Sequence, residues 1–559
     1  MKKRNKIVLI VSFLMVLVVI LITNTSFLKI TYYDEYDMFG PLSKSPLVTL
    51  VQFSLPILFM AVLWKYREVS PIILLIPFTL LVIIKYVSTE LVDAFYVTSF
   101  YDAPGHFKRG LYVTVSGQSD PKIDHYFDIQ PAFFWVTAML LNICGAPRSL
   151  IDSLSILIIK WFPAFAVIMY VPILYLFYKQ LLKKSFLVST ALLITFGVEM
   201  IHYHYAAQTY GRAVYWLLLT TMFYFMNRRD LRFLILTLLS GISLVFIHEG
   251  VLILTFLASI ALVIYHALFR VLGITYNKFS HKEFLVLPII LGVSWTARLM
   301  YLTLYRFKDV ISTFQKILET LIMENLQIIP LGIARAHAGW GQIVLCKAIY
   351  MFGLLVSGLI LLFVNAYRGR DNTDKLAFCI MLLSTIFFGG AAIALGGAGY
   401  IERLPSLTLP ILVYSILKCL YNRELYERRK VANLLVIVPL IMLIFASSIF
   451  YMSGRNFQSI TYGEYHSSIF IIYNDPQNIA SIYTRLKIIP IREIIKAELS
   501  NESITRATVI SIQRYDVIMT NYYICSDTNF INMTIRGLHE RMNIIYNNLN
   551  SRVLLSLRS

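Results

Sequence analysis

Charged residues are scarce in this chain. Only 14% of its 559 residues are Asp, Glu, Lys or Arg, whereas 58% are hydrophobic, and the mean hydropathy is +0.69. Apolar runs of about 15 to 25 residues recur along the sequence, the length that a helix needs to cross ~30 Å of hydrocarbon. This composition excludes the ordinary water-soluble classes and predicts a polytopic membrane protein.

Cysteine and concentrated basic charge are also scarce. The five cysteines show no CxxC spacing, which predicts neither a disulfide framework nor a zinc site. They are Cys144, Cys346, Cys379, Cys419 and Cys525. The net charge of +19 is spread through short loops and forms no basic patch. Such a distribution argues against a nucleic-acid partner and is better explained by orientation in a membrane.

The apolar runs predict thirteen membrane-spanning helices. We place them at residues 7–23, 47–64, 71–87, 154–178, 185–201, 212–226, 233–247, 251–269, 284–302, 343–366, 376–394, 405–420 and 431–449. The first run follows MKKRNK but is long and has no small-residue cleavage site, so it is a span and not a signal peptide. Basic residues cluster in the loops of one face, which makes that face cytoplasmic. We therefore expect a multi-pass cell-membrane protein with a cytoplasmic amino terminus and an external carboxyl terminus.

Two segments depart from this pattern. Pro131–Ala146 is apolar but short and begins with proline, so we expect a helix in the outer interface, within a large outer loop at 88–153. The tail at 450–559 is rich in Asn, Ser, Ile and Tyr with short alternating runs, which predict a small α/β or mixed-sheet extracytoplasmic domain. The rest, residues 1–449, is expected to be an all-α transmembrane module.

Polar residues concentrate in the stretch Tyr101–Trp135 of the outer loop. Charge beside a bilayer is unfavourable unless it binds a ligand or takes part in chemistry, so we expect the active site here. Asp102 and His106 carry the titratable groups that open this stretch.

The layout resembles that of the C-type membrane glycosyltransferases (GT-C). The resemblance rests on a first span, a long outer loop with Asp102 before Gly105 and His106, a proline-aromatic helix from Pro131, and many further spans before an outer domain. Large archaeal members are the nearer match, and protein O-mannosyltransferases and aminoarabinose transferases are more distant. The sequence has no WWD-like motif, which disfavours the oligosaccharyltransferase branch.

The resemblance implies that a sugar passes from a polyprenyl (dolichyl-type) phosphate to an acceptor hydroxyl on the outer face. Asp102 matches the family's loop aspartate and would be the general base of an inverting displacement. Its structural alternative is an Asx turn at Asp102–Gly105. His106 would orient Asp102 or contact the phosphate, and solvation at the interface is its alternative.

The first outer loop holds a rival base. Asp34 and Glu35 directly follow the first span, and carboxylates there could ligate a divalent cation. A solvated loop with interfacial tyrosines is the alternative. The sequence leaves a metal site open and indicates no other cofactor.

Basic residues on the outer face are candidates for binding the donor phosphate. They are Arg212, Arg403 beside Glu402, and the pair Arg335 and His337. A guanidinium can bind phosphate through paired hydrogen bonds. For each residue, the alternative is that its side chain extends to lipid headgroups and serves as an anchor.

The remaining candidates lie at two hairpin turns. Gln208 follows an HYH sequence, and His248 with Glu249 occupies a tight turn between two spans. Hydrogen bonds to sugar hydroxyls or helix capping are the expected roles, and a metal site at the histidines is the alternative.

These residues predict a membrane glycosyltransferase whose partners are a polyprenyl-phosphate-linked sugar, membrane lipids, and an acceptor glycan, lipid or protein. A transporter or flippase of lipid-linked glycans is the alternative, and it requires polar residues near mid-bilayer, broken helices or repeated halves. Lys160 and Arg298 fall within predicted spans and support that alternative. A non-catalytic scaffold with a degenerate site is a third hypothesis.

Overall fold

The structure of the protein is a computed structural model. It describes residues 3–24, 71–88, 95–97, 103–119, 130–145, 153–199, 205–228, 230–271, 281–302, 338–368, 372–395, 398–421, 460–461, 482–484, 522–525, 542–548 and 551–556, with the single positions 54, 127, 312 and 315.

Helices make up nearly all of the described chain. They are α1 (Lys3–Ile22), α2 (Pro71–Ser88), α3 (Ala103–Ser116), α4 (Pro131–Ile143), α5 (Ser153–Leu182), α6 (Ser185–Val198), α7 (Ala207–Arg228), α8 (Leu231–Ile247), α9 (Glu249–Val271), α10 (His281–Leu302), α11 (Ala338–Arg368), α12 (Asn372–Leu395) and α13 (Ala398–Tyr421). Eleven of the thirteen predicted spans coincide with helices, namely α1, α2 and α5 to α13. The other two, at 47–64 and 431–449, lie outside the described ranges.

The helices are apolar on their outward faces as well as inside the bundle. On α1, Ile10, Leu14, Leu17 and Leu21 recur at intervals of three and four residues, and each is more than half exposed. Apolar surface in water is unfavourable by about 25 cal/mol per Å², so faces like this one indicate lipid as the surrounding solvent. Within the described ranges, Leu157–Leu182 is long and apolar enough to cross a membrane by itself. The number of crossings stays a prediction.

Helix α7 lies at the centre of the bundle, packed against α5, α8 and α9. Trp216 and Tyr215 on α7 are fully buried, as are Tyr178 and Tyr170 on α5. The rings of Trp216 and Phe177 meet edge to face with centroids 5.4 Å apart. Aromatic side chains thus fill the interior around the helix that carries Arg212.

The outer-loop helices α3 and α4 form a close pair. A Cβ atom at Gly110 of α3 would lie 2.1 Å from Thr137 Cγ2 of α4, so the pair requires glycine there. Helix α4 buries Phe133, Phe134 and Thr137. The helix predicted from Pro131 is confirmed, and its place in a membrane interface stays a prediction.

Short strands are the other described elements. β1 (Phe95–Val97) pairs antiparallel with β2 (Ile460–Thr461), which joins the outer loop to the beginning of the tail. Farther on, β3 (Ile482–Thr484), β4 (Tyr522–Cys525), β5 (Met542–Asn548) and β6 (Ser551–Ser556) form a sheet in the order β3-β4-β6-β5. Only β3 and β4 are parallel. The class of the tail domain stays a prediction.

Candidate functional site

Helix α6 ends inside the protein, and the residue that follows it, Glu199, introduces a carboxylate there. The backbone turns from helical to extended at Glu199, whose N–H still donates to Thr195 O at 3.0 Å. The Glu199 side chain is 4% exposed. A buried carboxylate requires a cation or hydrogen-bond donors nearby.

Arg212 supplies one such cation. It lies in the second turn of α7, is 2% exposed, and places Nη1 3.7 Å from Glu199 Oε2. The two groups therefore form an ion pair, but the distance between them is longer than that of a direct hydrogen bond. Since both groups are desolvated, their attraction is stronger than that of a surface pair.

Lys85, near the end of α2, adds a second cation. Its Nζ donates a hydrogen bond of 2.6 Å to Phe196 O in the last turn of α6, and it is attracted electrostatically by Glu199. Tyr350 on α11 is also close enough to Glu199 to interact with its charge. Lys85, Glu199 and Arg212 therefore form an ion cluster of two cations and one carboxylate, in which Glu199 and Arg212 are buried and Lys85 is partly buried.

The three members of the ion cluster lie at a similar depth. Helix α6 has 14 residues, or roughly 21 Å, below Glu199. Lys85 lies fourteen residues after Pro71, a distance of about 21 Å along α2. Arg212 lies sixteen residues before Arg228, a distance of about 24 Å along α7. On the predicted topology, in which these lengths are measured from cytoplasmic helix ends, the cluster would lie below the outer edge of a ~30 Å hydrocarbon layer.

His248 lies beside this cluster. It is the sole residue between α8 and α9, and its Nδ1 accepts a hydrogen bond of 3.3 Å from Val251 N, which caps α9. Because Nδ1 accepts, the neutral ring carries its proton on Nε2. A Cβ at Gly211 would lie 3.2 Å from His248 Cβ, so glycine allows α7 to approach this turn. Glu249 and Gln208, in the first turns of α9 and α7, are partly exposed.

Tyr205 connects the outer-loop helices to α7. Its ring lies 5.4 Å from that of Phe107, 5.2 Å from Phe133 and 4.8 Å from Phe162, centroid to centroid. Its hydroxyl is hydrogen-bonded to Thr137 Oγ1, which itself donates to Phe133 O. Burial raises the pKa of the Tyr205 phenol well above its usual value, so the group stays protonated. We call these contacts the Tyr205 latch.

The first helix of the outer loop begins one residue after Asp102, which is itself outside the described residues. Ala103, Pro104 and Gly105 form the first turn of α3. Proline is well tolerated in a first helical turn. The choice between a catalytic Asp102 and an Asx turn stays a prediction. A carboxylate immediately before a helix is favoured by its unpaired N–H groups.

His106 is buried among aromatic rings. It is 4% exposed, and its ring centroid lies 5.9 Å from Phe133 and 6.0 Å from Phe134. The alternative of simple interfacial solvation is therefore wrong. His106 contributes to the packing of α3 on α4.

The other predicted candidates stay untested. Arg403 and Glu402 belong to α13, but their side chains lie outside the described part. Asp34, Glu35, Arg335 and His337 lie outside the described ranges altogether.

Sequence reasoning missed Lys85 as a site residue and placed Glu199 only among the polar residues of the hairpin before α7, without an ion-pair role. Both lie within predicted spans, and an ionisable residue inside an apolar run is itself a signal of function. Lys160, at 9% exposed, and Arg298, at 6%, are also buried. Arg298 Nη1 donates to Val245 O in the last turn of α8.

A second buried polar group lies at the opposite end of the bundle. Asp374 of α12 accepts hydrogen bonds from Tyr414 Oη at 2.7 Å and Lys418 Nζ at 2.6 Å, both on α13. Among the described residues, no three His, Cys, Asp or Glu side chains are grouped so that they could hold a metal ion.

The solved structures that resemble the chain at low identity include two of the same protein. Both are crystal structures of the Archaeoglobus fulgidus oligosaccharyltransferase, one in complex with Zn and sulfate and one tethered through a disulfide bond to an acceptor peptide containing the NVT sequon. Their sequence identity to this chain is 13% and 12%, the matches cover 75% and 76% of this chain, and the TM-score is 0.43 for each. The matches cover 61% and 63% of those chains, less than two thirds of their length. No protein-family model and no curated protein matches the sequence.

Proposed function

We propose that the chain is a GT-C-type membrane glycosyltransferase that takes a sugar from a polyprenyl phosphate and transfers it to an acceptor hydroxyl. The observation that carries this proposal is the ion cluster, in which, among the described residues, the cations of Arg212 and Lys85 both interact with the carboxylate of Glu199. Two cations in apolar surroundings suit a ligand that brings its own negative charge and an apolar tail.

Arg212 and Lys85 would hold the phosphate in different ways. A guanidinium presents a planar set of donors that matches two phosphate oxygens, whereas an ammonium acts as a compact point charge. As the sugar leaves, negative charge increases on the bridging phosphate oxygen, and buried cations stabilise it more than water does. Glu199 balances the cations while no ligand is bound.

The transfer step in this proposal is a single displacement. The acceptor oxygen attacks the anomeric carbon, the bond from that carbon to phosphate oxygen breaks with its electron pair going to the phosphate, and the acceptor proton passes to the Asp102 carboxylate. The anomeric configuration inverts. Asp102 as base and His106 as its neighbour remain part of the proposal, with Asp34 as the rival base.

The placement of the reaction follows the predicted topology. The ion cluster lies toward the end that the basic loops predict to be outer, so the sugar would be transferred outside the cytoplasm. The Tyr205 latch supports this placement, because it packs the helix that follows Asp102 against the residues that precede Arg212. The acceptor would be a glycan, lipid or protein that approaches from that side.

The test is donor binding and turnover in variants purified in detergent. Arg212→Lys should weaken the binding of polyprenyl phosphate by roughly tenfold or more, because the ammonium loses the two-point contact. Asp102→Asn should retain binding but lower turnover by about 10²-fold. Arg232→Lys is the matched control, since Arg232 is 86% exposed in its pair with Asp230. Donor affinity unchanged in Arg212→Lys would refute the phosphate site.

A transporter or flippase of lipid-linked glycans is the second candidate. The recessed depth of the ion cluster and the short helix α6 favour it, because transporters bind near mid-bilayer with interrupted helices. Proteoliposomes separate the two functions. Release of free polyprenyl phosphate with sugar transfer supports the enzyme, whereas movement of the intact lipid-linked sugar between leaflets supports the transporter.

A further inference from the structure

Tyr215 is a buried phenol in the central helix whose hydroxyl has no hydrogen-bond partner among the residues that the structure describes. The residue is completely buried. Burying a hydroxyl without a partner is unfavourable, and native proteins rarely keep one without reason. Phenylalanine would fill the same space without this penalty.

Neighbouring buried tyrosines show the usual arrangement. Tyr170 Oη donates to Thr209 O at 2.8 Å, and the hydroxyls of Tyr178 and Tyr205 are bonded to threonine side chains. These three buried phenols each have a hydrogen-bond partner within the protein. Tyr215, one turn along α7 from Arg212, differs from them in this respect.

Helix geometry places Tyr215 on the same side of α7 as the ion cluster. It lies three residues after Arg212 and four after Gly211, and residues at these spacings share a helix face. Helical side chains lean toward the amino terminus and cover the preceding turn. The phenol of Tyr215 is thus directed toward the turn of Gly211 and Arg212, where His248 also packs.

We propose that Tyr215 is a further ligand-binding residue, whose hydroxyl donates a hydrogen bond to an oxygen of the phosphate bound by Arg212. The inference rests on the proposed function. In it, the phosphate site contains an uncharged hydrogen-bond donor, the Tyr215 hydroxyl, in addition to the two cations. An uncharged donor strengthens phosphate binding without adding a third positive charge that the apolar protein would have to hold when no ligand is bound. The phosphate satisfies the phenol that the protein leaves without a partner.

The test compares Tyr215→Phe with Tyr178→Phe by thermal unfolding and by binding. Tyr215→Phe should unfold at the same or a higher temperature without ligand, because an unpaired hydroxyl has been removed. It should also bind polyprenyl phosphate roughly tenfold more weakly, as expected for a lost hydrogen bond to a charged group. Tyr178→Phe loses a satisfied hydrogen bond on α5, so it should unfold at a lower temperature and bind the donor normally.

Two probes distinguish the source of the phosphate. One is inorganic phosphate alone, and the other is polyprenyl phosphate in nanodiscs of a neutral lipid. Loss of affinity for both probes in Tyr215→Phe supports a site for the phosphate group itself, and loss for the lipid probe alone supports a site that requires the tail. Normal affinity for both overturns the inference.

The inference and the proposed function can fail separately. If Arg212→Lys weakens binding and Tyr215→Phe does not, only the role of Tyr215 is wrong. If Arg212→Lys also binds normally, the phosphate site itself is wrong. A lower unfolding temperature of ligand-free Tyr215→Phe would show that the hydroxyl has a partner within the protein, which also overturns the inference.

Discussion

Replacing Glu199 by glutamine isolates the electrostatics of the ion cluster. The side chain keeps its size and one carbonyl oxygen but loses its charge, so the buried Arg212 and the partly buried Lys85 lose the carboxylate that attracts them. Removing one partner of a buried ion pair typically destabilises a protein by about 3–5 kcal/mol. Because the Arg212–Glu199 contact is 3.7 Å and not a direct hydrogen bond, we expect the lower part of that range, about 3 kcal/mol.

The same substitution should strengthen anion binding. In the native chain, Glu199 repels a phosphate that approaches Arg212, and at an effective dielectric constant near 20 a charge at ~5 Å contributes about 3 kcal/mol. Glu199→Gln should therefore bind phosphate at least about tenfold more tightly. Added phosphate should raise the unfolding temperature of this variant by more than that of the native protein.

The assay is thermal unfolding in detergent across a series of phosphate concentrations. Asp230→Asn is the matched control, because Asp230 is also paired with an arginine but lies at an exposed helix start. Hydrogen bonds from Arg232 hold the pKa of Asp230 below its usual value, and asparagine retains the capping acceptor. The control should show no phosphate dependence. A Glu199→Gln protein that is as stable as the control and insensitive to phosphate would refute the reasoning.

Two further predictions concern the elements around the site. Gly110→Ala should lower the free energy of unfolding by about 1–3 kcal/mol, since its methyl group would overlap Thr137. Gly353→Ala is the control: a Cβ there meets nothing within 4 Å, so this change should raise the free energy of unfolding by up to ~1 kcal/mol. Equal effects of the two substitutions in chemical unfolding would contradict the close approach of α3 and α4. His248→Ala should lower the free energy of unfolding by about 1 kcal/mol and speed hydrogen exchange at the Val251 amide, because the helix cap is lost. His248→Asn should keep the cap, since asparagine also accepts a hydrogen bond at this position. An Asn variant that behaves like the Ala variant would exclude the capping role.

The helices could be predicted from the sequence because hydrocarbon leaves the backbone no other partner. A run of apolar residues long enough to cross must form its hydrogen bonds internally, so residues 154–178 were expected to be helical and α5 covers Ser153–Leu182. The boundaries near the site were less predictable. Helix α7 was expected from residue 212 but begins at Ala207, because its first turn is polar.

The partners within the site could not be predicted in the same way. Lys85 and Phe196, whose carbonyl it binds, are 111 residues apart in the chain. Hydropathy identifies which residues enter the membrane but not which helices pack together. Arg212 was recognised because it follows a polar loop, whereas Lys85 lies inside an apolar run and Glu199 at the end of one.

The Tyr205 latch bears on the choice between a transferase and a transporter. A transporter with alternating access requires helices around its binding site to move apart, and here that movement would separate α3 and α4 from the start of α7. Two aromatic contacts of Tyr205, with Phe107 on α3 and Phe133 on α4, each contribute about 0.5–1.5 kcal/mol beyond area burial and oppose that separation, as does the bond to Thr137. An inverting displacement has the opposite requirement, since base and phosphate-binding cation must keep a constant separation. The latch therefore favours catalysis at a fixed geometry.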